Sequence, residues 1–451
     1  MDYDTPVIRH RAQNGTHLQL ERDRPAYRLP DGFQMLFYGN GRPITLINHY
    51  LANRAKAQII DGIDWRQTQQ SLADDGAQAT TFFHSLGKTW DDLNFKIIVS
   101  YAAALQAGYS VWTQKKLAPN TVTRRIGTVL RIAKFARQNK YPMGELPSAD
   151  IKPADILQLA AEQLQDLGHN PDFVAPSERA QPRINPILEA KVILDELGPD
   201  ILSQESSPKN CRDRLLAETA LYTGLRVDEV EHLTVHHILF LASDMEAKPH
   251  QREFQLYITH TKGSKPGYVI FPKRIIEALV KYIETERALV VETAKTRLGE
   301  DYRDPGALFL NGIHANGRDL GRAMTAAMIS RVFSRAVARC GLFVEEERFR
   351  LAPNGELVFD GKTGQPMTEA VRRPAHTYHD LRHTFAVVQY SIRSLRGDKN
   401  PLATVKTLLR HKLSQTTADI YLSWLHVFER QLSEMLSDLF HDLDAASEGR
   451  R

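Results

Sequence analysis

The chain has 451 residues, which is too long for one ordinary domain and predicts two or three. Hydrophobic residues make up 42% and charged residues 25%, which is the composition of an ordinary globular protein and is ample for sizeable cores. Two cysteines, Cys211 and Cys340, exclude a disulfide framework and show no metal-ligand spacing. No apolar run is long enough for a membrane span, and the start MDYDTPVIRH lacks a signal-peptide core, so we expect a soluble, cytoplasmic protein.

The N-terminal third divides into a segment without periodicity and a helical region. Residues 1–44 are predicted to form a loosely structured arm, and residues 45–145 a helical domain. Between Lys88 and Tyr141 there are ten Lys or Arg against two Asp, although the net charge of the chain is only +4. A polyanion, with nucleic acid as the first candidate, explains this local charge, and a solvated helix face explains it equally well.

One helix in this basic region is strongly amphipathic. Asn120 can cap a helix that runs from Thr121 to about Gln138 and stops before Pro142. At 100° per residue, apolar residues from Val122 to Ala136 cluster on one face, and basic residues lie on the opposite face. We predict that the basic residues of this helix bind DNA phosphates: Arg124, Arg125, Arg131 and Lys134.

A polar, proline-rich stretch separates the two halves of the chain. A helix fits residues 154–167, with Pro153 in its first turn. The following stretch, HNPDFVAPSERAQPRINP, contains four prolines and is typical of a linker. We therefore predict a helix and linker over residues 146–183, a domain boundary near residue 183, and a second large domain over residues 184–451.

The second half mixes helical patterns with two hairpins. A helix from Arg212 to Tyr222 ends at Gly224, and FQLYITHT and YVIFP are joined by KGSKPG as a β-hairpin. Further helical patterns cover about residues 275–291 and 325–340. The stretch FRLAPNGELVFDGKTGQPM predicts an inserted hairpin, and long helical patterns follow. The predicted fold class is mainly α with a small antiparallel β-sheet.

Three separated segments carry residues suited to phosphate chemistry. They are TGLRVDE with Arg226, HDLRHTF with His379 and Arg382, and HKLSQTTADIY with His411 and Tyr421. Singly, each segment is weak, because arginines often lie in surface ion pairs and most tyrosines pack in or around a core. His379 and Arg382 are three residues apart, so they share one face of a helix.

Together and in this order, the segments resemble the tyrosine recombinase (lambda integrase) family. Its pattern is an Arg after a T-G-L turn, then H-x-L-R-H, then a His followed about nine residues later by the nucleophilic Tyr. The family also has a lysine in a β-hairpin after the first Arg, and Lys262 in THTKGSKPG fits it. The resemblance covers about residues 185–440, and the basic helical region resembles, less specifically, the family's core-binding domain. It implies a clamp of two domains around DNA.

The chain departs from the family pattern at three points. Tyr421 follows His411 by ten residues, one more than is usual, and Arg410 stands where the family often has Gly. The stretch between Arg226 and His379 is longer than is typical, which is consistent with the inserted hairpin. None of these departures removes a catalytic group.

The resemblance implies a role for each matching residue. Arg226 and Arg382 would clamp the phosphate with help from His411, and Tyr421 would form a 3′-phosphotyrosyl bond. His379 is the candidate base or proton shuttle. The candidates for the proton donor to the 5′-oxygen are Lys262, which we favour, and its rival Lys265. Glu229 and His383 are expected to brace the arginines and to pack in the protein. No metal, ATP or other cofactor is expected.

The resemblance also implies partners. We expect the protein to bind double-stranded DNA at specific sites and to form a homo-tetramer on that DNA. We also expect a Holliday junction intermediate and a role in the recombination of a mobile element. Alternatives are a type IB topoisomerase-like enzyme and a non-cutting DNA-binding protein of the same fold. A helical scaffold would leave the ordered residue set unexplained. Beyond Tyr421, an apolar stripe from Leu425 to Leu443 predicts a terminal helix that folds back on its own domain or docks on a neighbouring subunit.

Overall fold

The computed structural model describes residues 7–13, 15–18, 27–62, 64–110, 113–146, 151–166, 186–203, 210–259 and 266–410. The chain divides into two compact units. The first contains Met1–Arg179 and Glu347–Ala370, and the second contains Ala180–Glu346 and Val371–Arg451. The domain boundary predicted near residue 183 lies outside the described residues.

The first unit begins with short strands: β1 (Val7–Arg11), β2 (His17–Leu18), β3 (Tyr27–Arg28) and β4 (Gln34–Tyr38). β1 pairs antiparallel with β4, from Val7 opposite Tyr38 to Arg11 opposite Gln34. Phe33 and Leu36 are fully buried in the same core as the helices that follow. The prediction of a separate, loose arm is therefore wrong for the described part of residues 1–44. β1 is an edge strand, and most of its side chains are exposed to solvent. Its sequence therefore does not alternate between apolar and polar residues.

Five helices complete the core of the first unit. They are α1 (Thr45–Ile60), α2 (Arg66–Ser85), α3 (Phe95–Ala107), α4 (Pro119–Gln138) and α5 (Pro153–Asp166), with the short strands β5 (Tyr109–Ser110) and β6 (Lys115–Lys116) before α4. α4 begins at Pro119, not after Asn120, because proline suits the first helical position. Ile156 and Leu164 of α5 lie in the common core, so this helix belongs to the first unit and not to a linker.

The second unit is larger and mainly helical. Its elements up to the hairpin are α6 (Ile187–Leu197), α7 (Arg212–Thr223), α8 (Val227–Glu231), α9 (Val235–Ala247), β7 (Glu253–Ile258) and β8 (Gly267–Pro272). After the hairpin come α10 (Lys273–Tyr282), a π-helical turn (Ile283–Arg287), α11 (Ala288–Leu298), α12 (Ala326–Arg339), β9 (Phe343–Phe349), β10 (Thr368–Pro374), α13 (Tyr378–Leu395) and α14 (Pro401–Leu408).

The predicted β-hairpin and fold class are both confirmed. β7 and β8 pair antiparallel, from Glu253 opposite Pro272 to Ile258 opposite Gly267. Phe254 and Phe271 of this pair are fully buried with Tyr282 in the core of the unit. The described chain is thus mainly helical with small two-stranded sheets. No helix within the described ranges is both long and apolar enough to cross a membrane.

An inserted hairpin is present, but its strands β9 and β10 flank the predicted stretch, within which the pairing is by isolated bridges such as Leu351 with Leu357. The tip of the hairpin belongs to the first unit. β9 and β10 form a two-stranded sheet, and residues 347–370 beyond its base group with the first unit. There the Phe349 amide donates to the Gln114 carbonyl at 2.6 Å, and the Tyr109 hydroxyl donates to the Gly355 carbonyl at 3.0 Å. The assignment of all of residues 184–451 to one domain is therefore wrong for this insert, because contacts far apart in sequence decide where it packs.

Candidate active site

A tight turn after α7 places the first arginine of the site. Gly224 ends the helix with φ 67°, and a Cβ there would lie 2.5 Å from the Phe385 ring. Glycine is needed at this position for both the left-handed backbone and the close approach. The turn brings Arg226 to the N-terminus of α8, where its side chain is 19% exposed.

Glu229, in the first turn of α8, is a fully buried carboxylate around which the arginines gather. Its Oε2 accepts from the Arg226 backbone amide at 2.9 Å, and its Oε1 accepts from Arg226 Nη1 at 3.1 Å. Arg382 Nη1 lies 3.8 Å from Oε2, and Arg410 Nη2 donates to Oε2 at 2.6 Å. One carboxylate thus braces three guanidinium groups from three distant segments, as expected for Glu229 from the sequence.

Arg382, in the first half of α13, is almost completely buried. Its Nη1 donates to the Gly224 carbonyl and its Nη2 to the Leu409 carbonyl. The guanidinium therefore joins the end of α7 to the end of α14. These bonds fix the position of its charge beside Glu229.

His379 lies one helical turn before Arg382 on α13 and remains exposed to solvent. Its ring meets the ring of His383 edge-on, with centroids 4.7 Å apart. The pKa of His379 is lowered, first by desolvation from the surrounding protein and then by the positive charges of Arg382 and Arg226. His379 is therefore held mainly in its neutral form at neutral pH.

The structure brings together some of the predicted site residues and adds Arg410 to them. Arg226, Glu229 and Arg382 share direct contacts, and the charges of both arginines act on His379. Lys262, Lys265, His411, Tyr421 and the terminal apolar stripe all lie outside the described residues. From the sequence, Arg410 is visible only as a departure from the family pattern, and its position directly before His411 is the available signal.

The basic helix of the first unit has the predicted orientation. Arg124, Arg131 and Lys134 of α4 are exposed, whereas Arg125 is more than three-quarters buried. Arg124 Nη1 donates to the buried Asp75 carboxylate at 2.5 Å, and Thr128 donates to the same oxygen at 2.9 Å. Arg124 therefore helps to hold α4 against α2.

The site is a cluster of buried guanidinium groups on a helical scaffold, an arrangement suited to bind and stabilise a phosphate. The sequence model of the phage integrase family matches residues 198–426, about half of the chain, and this range includes the whole cluster. The chain belongs to this family, the tyrosine recombinases, which cleave and rejoin DNA. The comparison with curated proteins gave no match.

Several solved structures align with most of this chain at low sequence identity. The Tn1549 transposon integrase with transposon right end DNA is 15% identical with a TM-score of 0.44, over 86% of this chain and 99% of that one. XerH recombinase in a post-cleavage complex with palindromic difH is 16% identical with a TM-score of 0.47, over 86% and 88%. A lambda integrase dimer bound to a core site is 17% identical with a TM-score of 0.43, over 83% and 94%.

Proposed function

We propose that this protein is a site-specific DNA recombinase that cuts and rejoins strands through a covalent bond to Tyr421 and serves a mobile DNA element. The carrying observation is the cluster in which buried Glu229 holds Arg226 and Arg382, which are 156 positions apart in the sequence, beside each other. Two guanidinium groups on one carboxylate leave a net positive charge, and burying cations together is costly, so a bound anion would stabilise the arrangement.

The proposed chemistry is attack of the Tyr421 hydroxyl on a DNA phosphodiester. The phenol oxygen forms a bond to phosphorus, the 5′-oxygen leaves, and a 3′-phosphotyrosyl bond keeps the energy of the broken bond. Negative charge builds on the non-bridging oxygens, where Arg226, Arg382 and His411 would donate hydrogen bonds. Preorganised donors of this kind each contribute about 3 to 4 kcal/mol to a transition state.

Two proton transfers accompany this attack. A phenol has a pKa of about 10, so Tyr421 needs a base, and neutral His379 is suited to accept its proton. The leaving 5′-oxygen takes a proton, which Lys262, or its rival Lys265, would donate. Because the pKa of His379 is lowered, its neutral form persists to a lower pH than that of an ordinary histidine.

The proposed partner is double-stranded DNA, bound at specific sites by a homo-tetramer through a Holliday junction intermediate. Within the cell this places the protein in the cytoplasm, with the nucleoid. Arg131 and Lys134 of α4 are exposed cations suited to phosphate contact, and Arg124 and Arg125 lie on the same helix.

The direct test is to trap the covalent intermediate. The protein's site would first be mapped from DNA ends that remain attached to it in cells, and a duplex with a nick near the cleavage point would then be built. A recombinase forms a protein–DNA adduct and exchanges strands between two such sites. Relaxation of supercoils without exchange would favour the topoisomerase-like alternative, and site binding without an adduct would favour a non-cutting protein.

We expect adduct formation to proceed at its normal rate in excess EDTA. The reason is that guanidinium groups, and not a bound cation, would neutralise the developing charge. The adduct would be followed over time with EDTA and again after adding Mg²⁺, with DNA binding measured in parallel. Loss of cleavage in EDTA that Mg²⁺ restores, at unchanged DNA binding, would contradict this expectation.

Charge reversal of Arg131 and Lys134 to Glu should weaken DNA binding and flatten its salt dependence. Each lost phosphate contact should lower the slope of log K against log salt by about 0.9. Arg124 is left intact in this experiment because its loss would also remove one of the partners of buried Asp75. Glu162→Lys, at an exposed position of α5, is a control for altered charge. An unchanged slope would show that α4 does not face DNA.

A further inference from the structure

Arg410 has a backbone conformation that residues other than glycine rarely adopt. It lies just beyond α14 with φ 54°, in the left-handed region. For a residue with a Cβ this conformation costs about 1–2 kcal/mol, which glycine does not incur. The side chain is nevertheless only 6% exposed, so it is directed into the protein.

The guanidinium of Arg410 has hydrogen-bond donors to spare. Nη2 donates to Glu229, but Nε and Nη1 are buried and have no hydrogen-bond partner among the described residues. A buried donor left without a partner costs about 1–3 kcal/mol. The stem of the side chain packs against Gly267 at the start of β8, where a Cβ would lie 3.1 Å from Arg410 Cδ. Glycine at 267 therefore leaves room for this arginine.

The cluster also has an excess of positive charge. Arg226, Arg382 and Arg410 meet the single buried carboxylate of Glu229. Asp228, whose charge acts on neighbouring His379, still leaves one cation in excess among the residues that the structure describes. Burial lowers the pKa of Arg410 and nearby Arg226 does the same, while Glu229 opposes them. A bound anion would relieve both the charge excess and the open donors.

We propose that Arg410 is a third arginine of the phosphate-binding site and donates a hydrogen bond from an open donor to a non-bridging oxygen of the DNA phosphate that is cleaved. This inference rests on the proposed function. A phosphodiester has two non-bridging oxygens and one negative charge, which matches what the cluster lacks. The unfavourable φ is then the consequence of placing a guanidinium where the family often has glycine.

The test is Arg410→Gly in the adduct assay on the nicked duplex. Glycine suits the left-handed backbone, so the fold should be kept while the adduct rate falls about 10²- to 10³-fold, as for loss of one oxyanion donor. Arg410→Lys keeps the charge but loses the planar guanidinium group. Its adduct rate should therefore lie between those of the wild type and of Arg410→Gly. Asn210→Gly makes the same backbone change at φ 59° on an exposed residue of the same unit and should cleave at the normal rate.

A second substrate separates phosphate contact from support of the fold. A duplex with a methyl group in place of one non-bridging oxygen has no charge at the cleaved phosphate, so the deficit of Arg410→Gly should shrink on it. A normal rate for Arg410→Gly, or an equal deficit on both substrates, would overturn the proposal. If Arg410→Gly does not fold, the deficit of Arg410→Lys relative to the wild type is compared on the two substrates instead, with the same criterion.

Anion binding without cleavage keeps this inference distinct from the proposed function. At constant ionic strength, inorganic phosphate should raise the Tm of the wild type and of Asn210→Gly more than that of Arg410→Gly. An equal rise in all three would overturn the role of Arg410. A wild type that forms no adduct, yet shows the larger phosphate effect, would refute the proposed function and leave the arginine site standing.

Discussion

Replacing Tyr421 by Phe should abolish the covalent adduct and leave binding to the DNA site unchanged. Phenylalanine keeps the ring and removes only the oxygen that would attack phosphorus. We expect no adduct above background on the nicked duplex, a loss of at least about 10⁴-fold, comparable to removal of a nucleophile from other enzymes. Binding would be measured by titration of the same duplex with both proteins.

Two other tyrosines near the site are the matched controls. The Tyr378 hydroxyl is buried and donates to the Leu216 carbonyl at 2.5 Å, and burial raises its pKa, so it is suited to support the core and not to attack. Tyr390, also on α13, is only partly buried. Tyr378→Phe and Tyr390→Phe should both form the adduct. If either abolishes it while Tyr421→Phe still traps DNA, the assignment of the nucleophile is wrong.

Replacing Glu229 by Gln should cause the largest loss of stability of any single change in the site. The amide keeps the shape but removes the charge that three guanidinium groups share, and leaving buried charges without a partner costs about 3–5 kcal/mol. The free energy of unfolding would be measured with urea. Because the arginines also lose their alignment, adduct formation should fall steeply even where the variant is folded.

Glu218→Gln is the control for loss of a buried carboxylate. Glu218 is nearly as buried as Glu229, but it pairs with a single arginine, Arg214, at 2.9 Å. Glu218→Gln should therefore lower the free energy of unfolding less than Glu229→Gln and leave adduct formation close to normal. Removing one cation should also restore part of the loss, so Arg410→Gly should stabilise the Glu229→Gln protein. Equal losses for the two glutamates, with no such restoration, would contradict a shared counter-charge.

Elements with a strong local pattern could be predicted from the sequence. The apolar face of α4, the end of α7 at Gly224 and the β7–β8 hairpin each follow from residues within a few positions of each other. The segments that contain Arg226, His379 and Arg382 could also be found, because their order and spacing are specific. Their roles, and those of Lys262, His411 and Tyr421, stay predictions.

The strands before residue 45 and the packing of the insert could not be predicted in this way. β1 is a short edge strand whose partner β4 lies more than twenty residues away, and its exposed side chains show no alternation. The insert packs through Phe349 and Gly355 onto residues near position 110 of the chain. Such contacts have no local signature, because periodicity reports only which face of an element is buried and not against what.

The sequence by itself determined the family of the protein, the class of its fold and which residues to examine, since these depend on residue types at short spacings. Only the tertiary structure decided that Glu229 is the shared counter-charge and that Arg410 joins Arg226 and Arg382. The physical reason is that an ion pair depends on distances of a few ångströms between side chains, and chain folding alone brings residues 226, 382 and 410 that close.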